Sequence, residues 1–415
     1  MEIELVTVGD ELLLGFTIDT NSAYIAKELA TFGIQVVRRT SVGDDATQIT
    51  SAVTDAMHRT GAVITTGGLG PTSDDITKPA IAAIFGRGIE LRGEMLESLR
   101  KRWQARGLPG ELPDSNRSQA EVPTGAEILT NRYGTAPGLL LEDQSGRWVA
   151  MLPGVPREMR GILNEELIPR LRAKAGGSDV LRSLTIRTNG LPESTLAELI
   201  AGQTGELGGI RLAFLPGFDG VDLRLTLRAS DSASADTQLN AAAVKLREPI
   251  ERYVYGEGDT DFSAVVLDDC RIRRVRIAVA ESCTGGLLAV RLTDIPGSSD
   301  VFVGGVVAYD NSGKIAELGV TEDALAQFGA VSEPVAVAMA QGVQRKFGTE
   351  VAVGITGIAG PGGGSDEKPV GLVWIAVEGP RPRVKSFVFG GDRAEIRYRA
   401  AQAALAMIRR QFQND

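Results

Sequence analysis

Between residues 3 and 68 the chain alternates short apolar runs with amphipathic stretches at a spacing that leaves few folds open. IELVTV (3–8) reads as a strand, and a helix follows from Asn21 or Ser22. That helix carries Ile25, Leu29 and Phe32 on one face and stops at Gly33. VVRRTSV (36–42) predicts a second strand, 46–59 a second helix, and AVITTGG (62–68) a buried strand that ends in glycines. Strand, helix, strand, helix and strand in this order predict a doubly wound parallel sheet, whose ligands sit beyond the carboxyl ends of the strands.

At 415 residues the chain exceeds one ordinary core. The first domain is expected to close in LPGVPREMRGILNEELIPRLRAK, with a helix ending by Ala175 and GGSD (176–179) as a linker. LRSLTIRT, a helix from Glu193 to about Ala201, RLAFLP, the period-two run VDLRLTLRA and a helix to Tyr253 read as a small α+β module with a half-exposed sheet. YGEGDTD (255–261) marks a second boundary.

An α/β rhythm then returns with strands at RIAVAES, FVGGVVAYD, EVAVGIT, VGLVWIAV and VKSFVFGG. A helix at 333–347 has Ser332 as its expected cap and Val335, Met339, Val343 and Phe347 in one stripe, and a long helix runs from about Arg393 to Phe412. The expected architecture is α/β: two three-layer α/β/α domains, 1–175 and 258–415, flanking the α+β module 176–257.

Composition narrows the chemistry. A net charge of −9 argues against a broad nucleic-acid surface but leaves room for a local pocket that takes a small anion. No apolar run approaches the roughly 20 residues of a membrane span, and the strand-like MEIELVTVGD is unlike a signal segment, so a cytoplasmic protein is expected. Cys270 and Cys283 are too few for a disulfide framework or a thiolate zinc site, and His58 is the single histidine. Fifty glycines against 5% aromatics suit loops that approach ligands closely.

In AESCTGG (280–286), Ser282, Cys283 and Thr284 each carry an atom able to attack a carbonyl. With His58 remote in sequence, lysine is the available base, and Lys314 after YDNSG is the best placed. Gly285 and Gly286 open a helix after a buried strand and offer N–H groups to an oxyanion or phosphate. TGIAGPGGGSDEKPVG (356–371) forms a second glycine-rich loop. The alternative reading makes Ser282 and Thr284 helix caps, Cys283 a core residue and Lys314 a solvated side chain.

AESCTGG, VAYDNSGK, GAVSEP, GIAGPGGGSDEKPVG and FGGDR stand in the order that resembles the nicotinamide-mononucleotide amidase module of CinA-type proteins, over nearly all of 260–412. The resemblance implies hydrolysis of the carboxamide of nicotinamide mononucleotide to nicotinate mononucleotide and ammonia, with no cofactor. It implies Ser282 as nucleophile and Lys314 as base, which leaves Cys283 and Thr284 to packing and capping. Tyr309, Thr356 with Gly357, and Arg393 match the remaining site positions. We read them as orienting the Ser–Lys pair, as a polar contact at the reacting centre, and as a phosphate clamp respectively.

In TTGGLGPTSDD (65–75), Gly67, Gly68 and Gly70 can bring backbone N–H groups against a phosphate, and Asp74 and Asp75 read either as helix caps or as carboxylates around a divalent ion. With VGDELLLG, DTNSAYIA, SVGDD, SNRSQA and LPGVPREM, this loop resembles the amino-terminal domain of CinA proteins, over about 1–170, related in fold to molybdopterin-binding MogA and MoeA domains. The resemblance implies hydrolysis of ADP-ribose to AMP and ribose 5-phosphate with a divalent metal ion. Asp44 and Asp75 are the candidate metal ligands, and Asp10 and Glu11 lie at the first strand end as further contacts.

IRTNGLPES and AFLPGFDGVDLRLTLRA resemble the KH-type domain of CinA proteins, but 180–256 holds no GXXG loop flanked by basic residues, which favours a spacer or dimerisation role over RNA binding. The expected partners are small nucleotides and a second copy of the chain, without membrane or nucleic acid. A molybdopterin-binding protein and a non-catalytic scaffold are the competing readings.

Overall fold

β1 (Glu2–Val8) is buried from Ile3 to Val8 because both faces of its sheet are covered. Its one buried acid, Glu4, is met by the Arg59 guanidinium at 2.7 and 2.9 Å. The computed structural model describes residues 1–105, 107, 109–175 and 180–413; the GGSD stretch read as a linker lies outside the described residues. The chain divides into two compact units, Met1–Arg182 with Leu227–Gln238, and Ser183–Thr226 with Leu239–Asp415.

In the first unit a short turn of helix, α1 (Asp10–Leu13), precedes α2 (Thr20–Ala30), which starts at Asp19, whose carboxylate takes the Ser22 amide at 2.9 Å. β2 (Gln35–Val42), α3 (Ala46–Thr60) and β3 (Ala62–Thr66) follow. α3 is capped by Asp45 and closed by the left-handed Gly61. α4 (Thr77–Ile84) leads to a ribbon of β4 (Ile89–Leu91) and β5 (Glu121–Pro123) that brackets α5 (Gly93–Ala105). β6 (Glu127–Leu129), β7 (Gly138–Glu142) and β8 (Trp148–Leu152) complete the sheet. α6 (Pro156–Ile162) and α7 (Ile168–Ala175) follow the sheet, separated by a π-helical stretch at Leu163–Leu167.

The sheet order is β2-β1-β3-β8-β7-β6, parallel through β8 and antiparallel at β7 and β6. The sequence reading foresaw the parallel part alone. The connection at 143–147 is too short for a crossover, which needs roughly a dozen residues or more, so β7 and β8 form a hairpin.

The middle module has β9 (Val180–Thr188), α8 (Glu193–Thr204), β10 (Arg211–Pro216), β11 (Val221–Ala229), α9 (Ser232–Arg247) and β12 (Val254–Glu257), with sheet order β10-β11-β9-β12. Val221, Leu223, Leu225 and Leu227 alternate inward on β11, as its period-two pattern requires.

The remaining elements of the second unit are α10 (Phe262–Arg273), β13 (Ile277–Glu281), α11 (Leu287–Thr293), β14 (Phe302–Val307), α12 (Asn311–Leu318) and α13 (Glu322–Phe328). α14 (Glu333–Phe347), β15 (Val351–Gly357), β16 (Leu372–Glu378), β17 (Arg383–Val388) and α15 (Arg393–Arg410) follow. Strand order is β14-β13-β15-β16-β17, with β14, β13 and β15 parallel and the last two antiparallel. One face packs on α10, α11 and α15, the other on α14, which gives the expected three layers. Ser332 stands at the N-cap of α14, but its hydroxyl donates back to the Gly329 carbonyl at 2.8 Å rather than accepting a helix amide.

Candidate active sites

In the first unit the carboxyl ends of β1 and β3 open on a cavity of about 490 Å³. The glycine loop after β3 forms one wall. Gly67 and Gly68 take positive φ, and a Cβ on either would strike the Val8 carbonyl or the Thr77 hydroxyl, so only glycine lets the loop lie this close to β1 and α4. Gly70 is fixed differently: its N–H donates to Asp75 Oδ1 at 2.7 Å. Asp75 Oδ2 takes the Thr72 amide at 2.8 Å and the Thr72 hydroxyl. Asp75 thus organises the loop with both oxygens, while Asp74 lies beside it in the wall.

Across the cavity, Asp10 and Asp44 cap each other. The Asp10 amide donates to Asp44 Oδ2 at 3.0 Å and the Asp44 amide to Asp10 Oδ1 at 3.1 Å. Asp44 and Glu11 line the cavity; Asp10 supports them from behind. Burial, with the charges of Asp10, Glu11 and Asp74, holds the Asp44 carboxyl above its ordinary range against the opposing pull of the Asp10 amide. Among the described residues no three His, Cys, Asp or Glu side chains gather into a ready-made metal site. Asp44 and Asp75, the two expected metal ligands, both line this cavity.

Two residues here escaped the sequence reading. Asn21 on α2 donates to Thr66 Oγ1 at 3.2 Å and to the Gly154 carbonyl at 2.7 Å, while its buried Oδ1 has no partner among the described residues. Lys78 on α4 is buried, donates to the Ser118 carbonyl, and is pulled down to about 8 by desolvation, partly offset by Glu121 and Asp75. Its signal was a single cation inside the apolar stretch ITKPAIAAI.

In the second unit a pocket of about 300 Å³ opens where β13, β14 and β15 end. Ser282 follows β13 directly, 8% exposed, with its amide pinned to the Ile355 carbonyl at 2.9 Å. Lys314, on α12, faces the same pocket and is only 2% exposed, not solvated. Its amine donates to the Ala308 and Tyr309 carbonyls at 3.1 and 3.3 Å. Burial lowers its pKa, and nearby Asp310 and Cys283 oppose the shift. Asp310 caps α12 through the Ser312 amide at 2.9 Å, which fixes the turn that carries Lys314.

The three neighbouring candidates now separate. Cys283 reaches the pocket wall, but burial pushes its thiol up to about 12, where it is neutral and a poor nucleophile. Thr284 is fully buried, and its carbonyl takes the Arg397 guanidinium at 2.8 and 3.2 Å. Ser282 is the remaining group at the pocket.

Gly285 and Gly286 do not present free amides to a substrate. Gly286 donates to Glu281 Oε2 at 3.0 Å and Gly285 to the Ser282 carbonyl at 3.0 Å. Glu281, fully buried at the end of β13, also takes the amides of Leu288 and Ala289 at 3.1 and 2.8 Å. The helix N-terminus expected to receive a substrate anion is filled by the protein's own carboxylate. That acid closing an otherwise apolar strand was the overlooked signal.

Arg393 and Tyr309 pair with each other. The guanidinium donates to the Tyr309 hydroxyl and to the Gly360 carbonyl, each at 2.6 Å, tying the end of β14 to the second glycine loop. The Tyr309 backbone carbonyl, not its phenol, meets Lys314. Thr356 lines the pocket beside Gly357 and donates its hydroxyl to Ala330 at 2.7 Å.

Three family models match in succession: "Probable molybdopterin binding domain" over 4–173, "Damage-inducible protein CinA KH domain" over 183–256 and "CinA C-terminal domain" over 259–412. A CinA-like protein of Gemmatimonas aurantiaca is 56% identical over 99% of this chain and 96% of its own. The chain belongs to the CinA family. A second CinA-like protein, from Kosmotoga olearia, is 40% identical over 99% of this chain and 98% of its own. The solved competence/damage inducible protein CihA of Agrobacterium tumefaciens is 42% identical, covering 37% of this chain and 94% of that one with a TM-score of 0.35. The GFDG loop (217–220) of the middle module has the GXXG spacing but carries an acid, Asp219, and has no flanking basic residue. Asp219 faces α11 and α15, where Oδ1 meets Tyr398 at 3.0 Å and Arg291 at 3.2 Å. Its carbonyl takes Gln402 at 3.1 Å. Among the described residues no helix is long and apolar enough to cross a membrane.

Proposed function

We propose that the carboxyl-terminal pocket of this CinA-family chain deamidates nicotinamide mononucleotide. The observation that carries the reading is the buried Lys314 amine in the wall that also holds Ser282. A neutral amine has two hydrogens and one lone pair. With both hydrogens committed to the Ala308 and Tyr309 carbonyls, the lone pair is left to accept a proton.

In this scheme Ser282 Oγ attacks the carboxamide carbon as its proton passes to Lys314. Lys314 returns that proton to the departing nitrogen, and ammonia leaves. Water, deprotonated by the same amine, then releases nicotinate mononucleotide and restores Ser282. Ammonia release from nicotinamide mononucleotide without added metal tests the scheme, and release undiminished in Ser282→Ala would sink it.

For the amino-terminal cavity we propose hydrolysis of ADP-ribose to AMP and ribose 5-phosphate with a divalent ion. The support is the charge pattern: burial raises Asp44, and three neighbouring carboxylates add a repulsion that a cation would relieve. Magnesium is commonly held by one or two carboxylates together with substrate phosphates, which suits a site with no complete protein cage. Asp44 and Glu11 would face the ion, Asp10 would fix Asp44, and Asp75 would hold the loop. The ion would offset pyrophosphate charge and activate water. AMP formation only in the presence of a divalent ion is the expected result. The matched molybdopterin-binding description favours a second reading of this cavity, and tight pterin binding without AMP formation would establish it in place of the first.

A further inference from the structure

We propose that an arginine-lined cleft between the middle module and the end of α15 binds a small phosphate compound carrying several negative charges. The cleft, of about 340 Å³, draws Arg252 from the turn before β12, Arg383 from the start of β17, and Arg409 and Arg410 from the end of α15. No carboxylate lies in its described wall, and the Asn189 side chain and Tyr253 add polar groups.

Four guanidiniums from three chain segments face one concave space, although like charges repel. Two of them have a simpler explanation, since cations at a helix C-terminus are favoured by the helix dipole. That accounts for the placing of Arg409 and Arg410, while Arg252 and Arg383 reach the same space from outside the helix.

Their settings also suit an anion. Arg409 is anchored through Nη2 to the Val254 carbonyl at 3.0 Å. Its buried Nε has no hydrogen-bond partner, because the nearest carboxylate, Asp269, lies 3.6 Å away. Burial lowers the Arg409 pKa, and Asp269, ion-paired with it at 3.6 Å, opposes the shift. Arg252 lies over Tyr253 with its guanidinium 4.6 Å from the ring centre and donates through Nη2 to the Tyr253 hydroxyl, which holds it in the cleft wall. Gly190, at φ 93°, brings bare backbone beside Arg410: a Cβ there would sit 3.4 Å from Nη2. Planar guanidiniums bind phosphate oxygens two at a time, and several together favour a pyrophosphate over a single carboxylate.

The size of the cleft favours a small molecule over a nucleic-acid strand. The GFDG loop of the module is docked on α11 and α15, and the chain as a whole carries a charge of −9.

Inorganic pyrophosphate, titrated calorimetrically into the full chain without divalent metal, tests the proposal. Saturable binding is expected, weakened at least tenfold in the double variant Arg252→Ala, Arg410→Ala, with hydrogen-exchange protection at 189–190 and 252–253 in the unmodified protein. Arg383→Gln provides the same comparison should the double variant not fold. Unchanged affinity in a variant that melts like the parent overturns the proposal. So does protection confined to 67–75, or protection of the cleft by a single-stranded RNA and not by pyrophosphate.

Discussion

The Glu281 carboxylate accepts the Gly286 amide at 3.0 Å, across the turn that carries Ser282. Together with the Leu288 and Ala289 amides, it makes one buried acid the anchor of both β13 and α11. Glu281→Ala leaves three buried donors unpaired and is expected to cost roughly 3–5 kcal/mol, read as a lower urea midpoint. Glu281→Gln keeps one acceptor and should lose less, while ammonia release falls in both.

Cys270 and Cys283 are both pushed up to about 12 by burial. At pH 8 neither thiol should react with a disulfide reagent in the folded protein, and both should react on addition of denaturant. Cys283→Ala is expected to keep most of the ammonia release. A fast-reacting thiol whose modification stops that release would reverse the assignment of the nucleophile.

Lys314 is lowered from 10.5 by burial, and in the proposed scheme the neutral amine is the active form. Ammonia release should therefore rise with pH through a limb that lies below 10.5. Lys78 supplies the stability counterpart. Its folded value of about 8 lies below the unfolded 10.5, so the unfolded chain binds the extra proton between them and stability increases with pH across that window. Urea midpoints measured from pH 8 to 10.5 should climb, and Lys78→Met should flatten the climb.

Crowding of Asp44 by Asp10, Glu11 and Asp74 predicts that magnesium stabilises the protein. At about ten times its dissociation constant the melting temperature should rise by roughly 3 °C. Asp44→Asn is expected to melt higher than the parent without metal and to lose the magnesium-dependent rise.

The stripe Val335, Met339 and Val343 was legible because each is buried on α14 as its fourfold spacing requires. The direction of β7 was not. A strand covered on both faces reads as a plain apolar run whether its neighbour runs parallel or antiparallel. At the carboxyl-terminal site, motif order singled out Ser282 and Lys314, and both prove to be buried in the wall of one pocket. Roles that depend on who bonds to whom stayed hidden: Glu281 accepts the Gly286 amide, and Arg393 is engaged with Tyr309 and Gly360. Asp75 likewise reads as a cap or a ligand from its position alone, and only the loop geometry gives both its oxygens to Gly70 and Thr72.

Asp219 takes the Tyr398 hydroxyl and Arg291 on its carboxylate and Gln402 on its carbonyl, so one loop residue answers to two helices that frame the Ser282 turn. Such a hub ties four positions into one unit of inheritance. Among full-length relatives, a change at 219 should be accompanied by changes at 291, 398 or 402, a correlated drift that neighbouring surface positions would not share.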